Sequence, residues 1–442
     1  MDTGKATTYD GLGRWKGAAK PAQSGTLEGG IRRYFLGRIL LAGFGFLTIP
    51  LLNRAMGTTN YGLLSLWLTL ASWVPQLMVG WMQQSALRYH LTYRQEAAYR
   101  DYRRTAQVTL QALVVLVTLV TLIALVLGGT MSATERLLSV LIAAATVSGI
   151  YYGAVAQAEL KATLVVWGDL ARNLLPVACF ILHWLLFGTL TRAFALFYFL
   201  LGFLAADALL YFCLRTPAQE RGTFSPTILR KLFAFGLPMG VWFGLSSGQP
   251  LVGRLILEHC RLQSALGVFA SFQDFFSKTG TVLFMPVTYA LHGQVMALWA
   301  QQDRAGAIHV IRRAVLYQLA LAALLLPGIL VAEPLLHKIL FGGKGVVEPA
   351  SGLFLTVLTV AIILSNLGLV THKGLELGEN TRGMALLMGV ALLLNAIVSL
   401  VLTPLCGTLG VAWGMLAGNA FYLVATALWS RHILHRAAKE AV

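Results

Sequence analysis

Six charged side chains stand inside stretches that are otherwise apolar: Arg38, Asp169, Arg172, Asp207, Asp274 and Lys278. An ionisable group in such a stretch is costly, so each is a candidate for function. A fixed cation there offsets the desolvation of an anion, and arginine's planar fork can hold anionic oxygens in pairs. Burial disfavours the charged form of a carboxylate, which makes it a candidate proton acceptor. Arg172 comes eleven residues after Lys161, roughly 16 Å along a helix and too deep to snorkel easily. Asp169 is one turn earlier, and the i,i+3 spacing puts the two on one helix face, as an ion pair or against a polar lumen. Lys278 and Asp274 repeat the arrangement at i,i+4. Asp207, eight residues before Arg215, and Asp169, eight after Lys161, both fall about 12 Å from one edge. Asp169, Asp207 and Asp274 are therefore the candidates for coupling to H⁺ or Na⁺. Arg38 is five residues beyond Arg33, roughly 8 Å, and snorkelling to the interface also explains it.

The elements that position these residues follow from composition. Of 442 residues, 57% are hydrophobic and 12% are charged, about half the charge of an ordinary soluble protein, which carries roughly 25%. Mean hydropathy is +0.71. The chain reads as an all-α polytopic membrane protein. Long uncharged runs, such as the 48 residues of 383–430, give twelve expected spans: 34–53, 61–87, 105–128, 137–158, 162–187, 193–214, 230–253, 262–300, 312–332, 350–372, 383–402 and 408–430. Each is long enough to cross a bilayer, which takes roughly 20 residues. The break in the last run falls at Thr403-Pro404-Leu405-Cys406-Gly407-Thr408, where Pro and Gly favour a turn.

Net charge is +16, but the charges lie in short loops between spans, which points to a bilayer and not to nucleic acid. With the N-terminus inside, 24 of the 34 Lys+Arg fall on the cytoplasmic side and seven on the outer side, with three inside spans. The positive-inside rule then places both termini in the cytoplasm. Cys179, Cys213, Cys260 and Cys406 are too scattered for metal spacing. No metal or cofactor is expected. Trp67, Trp73 and Trp81, and Trp242 with Phe269, Phe272, Phe275 and Phe276, could stack on sugars, although interfacial belts and packing use the same residues. His183, Asn366 and Asn395 are expected to be satisfied by neighbouring helices.

An internal repeat is visible. Pro50-Leu51-Leu52-Asn53-Arg54 recurs as Pro250-Leu251-Val252-Gly253-Arg254, and Tyr61-Gly62-Leu63 as Leu266-Gly267-Val268. Six spans separate the copies, so the repeat is parallel, with an axis along the membrane normal and a cavity between two six-helix lobes. The expected division is a flexible tail 1–30, a first lobe 31–215, a linker 216–229, a second lobe 230–436 and a tail 437–442. Arg54 and Arg254 then sit at the outer mouth, as substrate contacts or as ordinary rim charges.

At this point the sequence resembles the oligosaccharide-lipid flippases of polysaccharide biosynthesis, within the multidrug/oligosaccharidyl-lipid/polysaccharide exporter superfamily. The resemblance runs from about Arg32 to the C-terminus. It rests on Ile49-Pro50-Leu51-Leu52-Asn53-Arg54-Ala55-Met56-Gly57, on Asn60-Tyr61-Gly62-Leu63, and on Leu266-Gly267-Val268-Phe269 with Pro286 beyond. It implies alternating access that moves an undecaprenyl-diphosphate-linked oligosaccharide to the outer leaflet, for exopolysaccharide or O-antigen (lipopolysaccharide) synthesis. It also implies a cationic cavity, a bacterial inner-membrane location, and a polysaccharide polymerase or initiating transferase as partner. Relatives that flip the peptidoglycan precursor have two further C-terminal helices, whereas this chain ends after its twelfth span. Arg172, Lys278, Arg38, Arg54 and Arg254 are the candidates for the diphosphate. Two alternatives stand beside this reading. One is an ion-coupled multidrug antiporter of the same fold, which would want an acidic cavity. The other is a membrane glycosyltransferase or polymerase, which would want paired carboxylates near the surface; the outer acids Glu135, Glu258, Glu333 and Glu348 are scattered over separate loops.

Overall fold

The structure, a computed structural model, describes residues 43–96, 98–127, 131–215, 222–342 and 352–439. Among the described residues the chain is helical, with no strand. Helix α1 covers 43–56, followed by α2 (Thr58–Arg94), α3 (Tyr99–Leu127), α4 (Ala133–Ala158), α5 (Ala162–Phe187) and α6 (Arg192–Leu214). Then come α7 (Pro226–His259), α8 (Gln263–Ala300), α9 (Arg304–Phe341), α10 (Gly352–Thr371), the one-turn α11 (Lys373–Leu377), α12 (Thr381–Cys406) and α13 (Thr408–Lys439). Eleven described helices are long and apolar enough to span. The twelfth expected span, 34–53, is described only from residue 43, and Arg38 lies outside the described residues. The chain is a multi-pass helical membrane protein.

Local chemistry sets the helix ends. Ser132 and Glu135 cap α4 reciprocally, satisfying two otherwise orphaned N–H groups. Glu135 also takes Arg192 at 2.9 Å, tying the start of α6 to that of α4. The break after α12 is placed by Gly407, whose φ of 55° suits glycine; the helix itself runs on through Pro404 to Cys406.

Within the first lobe α2 packs on α4, and α4 and α5 pack on α6; within the second, α12 and α10 pack on α13 and α12 on α7. Two seams join the lobes. In one, α2 lies along α7 over nearly its whole length. Gly236, Gly240, Gly244 and Gly248 form an i,i+4 row on α7, and Cβ atoms there would collide with Trp81, Leu77 and Trp73. Small residues at that spacing let two membrane helices meet backbone to backbone. Trp73 Nε1 donates to Gly244 O at 2.8 Å, and Ser85 Oγ to Leu232 O at 2.6 Å. In the other seam α1 runs antiparallel to α8: Asn53 Nδ2 donates to Ser271 Oγ at 3.0 Å, and the rings of Phe46 and Phe275 meet at 5.1 Å.

The repeat relates these seams, since exchanging α1 with α7 and α2 with α8 turns one into the other. Its axis is marked where α2 crosses α8. A Cβ on Gly62 would stand 2.6 Å from Gly267 Cα, so the two copies of the repeated glycine touch. The α2–α3, α4–α5, α6–α7, α8–α9 and α10–α12 links share one end of the bundle. We refer to it as the basic end, after Arg94, Arg100, Arg103, Arg104, Lys161 and Arg304.

Candidate functional site

Among the described residues, the intramembrane charges gather in three centres. The most enclosed joins the lobes near the end opposite the basic one. Arg254 of α7 is 2% exposed, so it is no rim charge. Its Nη2 donates to Asp274 Oδ1 of α8 at 2.5 Å and its Nε to Gln273 Oε1 at 3.1 Å. Its Nη1 donates to Ser65 O and Oγ, at 3.0 and 2.7 Å, and to Thr69 Oγ1. Asp274 Oδ2 in turn accepts from Tyr61 OH at 2.8 Å and from Ser65 Oγ at 2.9 Å. A buried ion pair is tolerated when its remaining donors and lone pairs are met in this way. Asp274 was expected to pair with Lys278 on its own helix. It pairs with Arg254 because α7 and α2, and not the next turn of α8, supply the groups opposite it.

The second centre is Lys278, whose charge still acts on Asp274 but forms no ion pair with it within 4.0 Å. The half-buried side chain reaches α1 across the second seam. A Cβ on Gly45 would lie 3.1 Å from Lys278 Cδ and Cε and 3.2 Å from Nζ. Among the described residues no ion pair within 4.0 Å is made by Lys278.

The third lies within the first lobe. Arg172 of α5 faces Asp207 of α6, with Nη2 and Oδ1 4.0 Å apart, beyond hydrogen-bond range. The expected partner, Asp169, makes no ion pair with it: α5 packs on α6, and that contact turns Arg172 across the helix pair. The guanidinium carbon lies 5.0 Å from the Phe203 ring centroid, within range for a cation–π contact. Gly149 of α4 leaves the room, since a Cβ there would meet Arg172 Nη2 at 2.6 Å and Asp207 Oδ1 at 2.8 Å. Arg172 Nε and Asp207 Oδ1 are buried without a hydrogen-bond partner among the described residues. Asp169 is half-buried one turn away; Asn173 donates to its backbone oxygen at 2.8 Å.

Arg54, the repeat partner of Arg254, is exposed. Its Nη2 donates to Ile339 O at 3.1 Å, so it caps the last turn of α9. The aromatic clusters serve packing: Phe269, Phe272 and Phe276 are buried, and Trp242 Nε1 donates to Tyr422 OH at 2.8 Å. His183 bonds Tyr198 OH of α6 at 2.8 Å and Asn395 the side chain of Gln249 of α7, neighbouring helices as expected, whereas Asn366 donates to the Ile362 carbonyl of its own helix. The cysteines are free, and among the described residues no three His, Cys, Asp or Glu side chains are placed for a metal.

Two groups of polar residues escaped the sequence reading. Tyr61, Ser65 and Thr69 form an i,i+4 polar row on α2, a signal that is present in the sequence. A further cluster at the basic end joins Lys373 to Glu376 at 2.5 Å and to His292 Nδ1 at 2.9 Å. Its signal is weaker: two opposite charges at i,i+3 directly after His372.

No family model and no curated protein matches the sequence. Solved structures do. One, described as the inward-facing conformation of a multidrug resistance MATE family transporter of the MOP superfamily, is 16% identical with a TM-score of 0.69, over 92% of this chain and 96% of that one. The outward-facing conformation so described matches at 15% identity and a TM-score of 0.64, with the same coverage. A MOP superfamily transporter from Pyrococcus furiosus, described as having a binding pocket of reversed polarity that suggests a different function, matches at 14% identity and a TM-score of 0.57, over 95% and 100%. The chain has the fold of the MATE transporters of the MOP superfamily.

Proposed function

We propose that the chain is a carrier, not an enzyme. It moves an undecaprenyl-diphosphate-linked oligosaccharide between the leaflets of a bacterial inner membrane by alternating access of its two lobes, for exopolysaccharide or O-antigen synthesis. The observation that carries the proposal is Lys278. With Asp274 hydrogen-bonded to Arg254, this ammonium stands at the seam between the lobes, within electrostatic reach of Asp274 but with no ion pair inside 4.0 Å among the described residues. An anionic head group that must cross roughly 30 Å of hydrocarbon needs such a charge. Arg172 adds a second cation whose held carboxylate is 4.0 Å away, loose enough to exchange for phosphate oxygens. In this reading the tail stays in lipid, the diphosphate meets Lys278 and Arg172, and Asp207 is the site of H⁺ or Na⁺ coupling. The basic end faces the cytoplasm.

Asp169 favours a second reading. A half-buried carboxylate that makes no ion pair among the described residues suits a cationic drug, and the similar structures include multidrug transporters. Proteoliposomes separate the two. Flipping of a short undecaprenyl-diphosphate oligosaccharide by wild type, lost in folded Lys278→Ala and Arg172→Ala, is the expected outcome. Antiport of an organic cation that Asp169→Asn abolishes, with no lipid movement, would overturn it.

A further inference from the structure

The cluster at the basic end of the second lobe takes no part in that path. Lys373, on α11, is 8% exposed. Its ammonium has donors only, so at 2.9 Å from His292 Nδ1 it must donate, and His292 on α8 must be neutral with its proton on Nε2. Glu376 Oε2 accepts from the same ammonium at 2.5 Å, while its Oε1 lies 3.5 Å from His292 Nδ1. We propose that His292, Lys373 and Glu376 form a proton-binding site that switches how α8 is docked on α11. A proton added at Nδ1 removes the acceptor that Lys373 uses and sets two cations against each other. The imidazolium's nearest anion is Glu376 Oε1, already on the same side. One proton therefore exchanges a Lys373–His292 hydrogen bond for a His292–Glu376 ion pair.

The surroundings leave that exchange as the available response. His372 caps α11 and is buried; its Nδ1 is 3.2 Å from Tyr422 OH of α13. Trp242 Nε1 of α7 donates to the same hydroxyl, so Tyr422 ties His372 to α7 and α13. From α9, Ala307, Ile311 and Ala314 pack beside this end of α8; of the α9 charges there, Arg304 bonds Trp299 O and Gln302, Arg313 bonds Tyr317 OH, and Arg312 and His309 are exposed. The side chain of His292 is 46% exposed against 10% for Lys373, so protons arrive on the histidine side while the lysine charge stays fixed. Pro286 lies six residues before His292 and removes a backbone hydrogen bond from α8, which frees the segment beyond it to change its angle. The proposal goes beyond the transport reading and needs no substrate.

The test uses the full chain in lipid nanodiscs, with its four cysteines replaced and spin labels placed through Gln301→Cys and Glu379→Cys, in the exposed α8–α9 and α11–α12 links. The label distance is expected to shift in a one-proton transition between pH 5 and 8, where histidine titrates. His292→Gln, which offers Lys373 an acceptor but takes no proton, is expected to hold the high-pH distance throughout. Asp207→Asn is expected to titrate as wild type. A wild-type distance that ignores pH would overturn the proposal, as would a transition that survives His292→Gln or vanishes in Asp207→Asn. Ring ¹⁵N spectra of wild-type His292 provide a check free of any variant: a proton on Nδ1 at pH 8.5 also overturns it. Failure of lipid flipping with the transition intact would sink the substrate reading alone.

Discussion

Two arginine–aspartate pairs divide the polar work of this bundle. Arg254 and Asp274 meet at 2.5 Å, and Gln273, Ser65, Thr69 and Tyr61 take up what the pair leaves over. Arg172 and Asp207 stand 4.0 Å apart beside Phe203, each with a buried atom that lacks a hydrogen bond among the described residues. The chemistry is the same and the completeness is not. A satisfied pair between lobes holds a conformation, because breaking it strands a buried charge. An incomplete pair within one lobe keeps hydrogen-bonding capacity for something else.

That contrast breaks most easily at Arg254. Arg254→Ala takes from Asp274 its hydrogen-bonded cation, leaving only Lys278 beyond 4.0 Å, and strips Ser65, Thr69 and Gln273 of their donor; it is expected to cost about 3–5 kcal/mol, seen as lost expression or a large fall in Tm in detergent. A variant as stable as wild type would erase the distinction. Arg172→Ala should behave in the opposite way. Its stability cost is expected to be smaller than that of Arg254→Ala, because the 4.0 Å contact with Asp207 makes no hydrogen bond to lose, while flipping falls roughly ten- to a hundredfold, the worth of a charge-assisted hydrogen bond. Double-mutant cycles sharpen the comparison. The stability coupling of Arg172 with Asp207 should be smaller than that of Arg254 with Asp274, since the first pair is 4.0 Å apart and the second hydrogen-bonded at 2.5 Å.

The smallest effect concerns a tie outside the spans. Glu159 joins the α4–α5 link to α2, accepting from Lys161 at 2.8 Å, Arg94 at 2.9 Å and His90 at 3.1 Å. Burial works against its charge, but the bonds from Lys161 and His90 and the nearby cations outweigh it, so its carboxyl is held below the usual carboxylate value. A lowered folded value means that the stabilisation is present at neutral pH and is lost as pH falls through that value. Glu159→Gln should lower Tm slightly at pH 7, and the gap to wild type should close below pH about 4.

Much of the framework was legible because spans announce themselves by what they lack. The expected 162–187 and 193–214 match α5 and α6 almost residue for residue, since charged or glycine-bearing links bound both. Helix beyond the apolar run was not legible: α2 continues to Arg94 and α9 starts at Arg304, where backbone hydrogen bonds carry the helix outside the hydrophobic stretch. Likewise α13 runs past 436 to Lys439. The six intramembrane charges were easily picked out by sequence, but their partners were not. Spacing along α5 or α8 says which side chains share a face, and says nothing of the helix that will lie opposite. So Arg172 finds Asp207 and Asp274 finds Arg254, while α11, a single turn with two charges, carries too little pattern to stand out.

The contact of Gly62 with Gly267 has a mechanical consequence. At the repeat axis the lobes meet glycine backbone against glycine backbone, with Thr58 packed beside Gly267 and the Tyr61–Asp274 hydrogen bond next to it. That spot is where the thickness of the contact matters most. A single methyl at either position acts as a shim, wedging α2 away from α8 and changing the lobe angle everywhere farther from the axis.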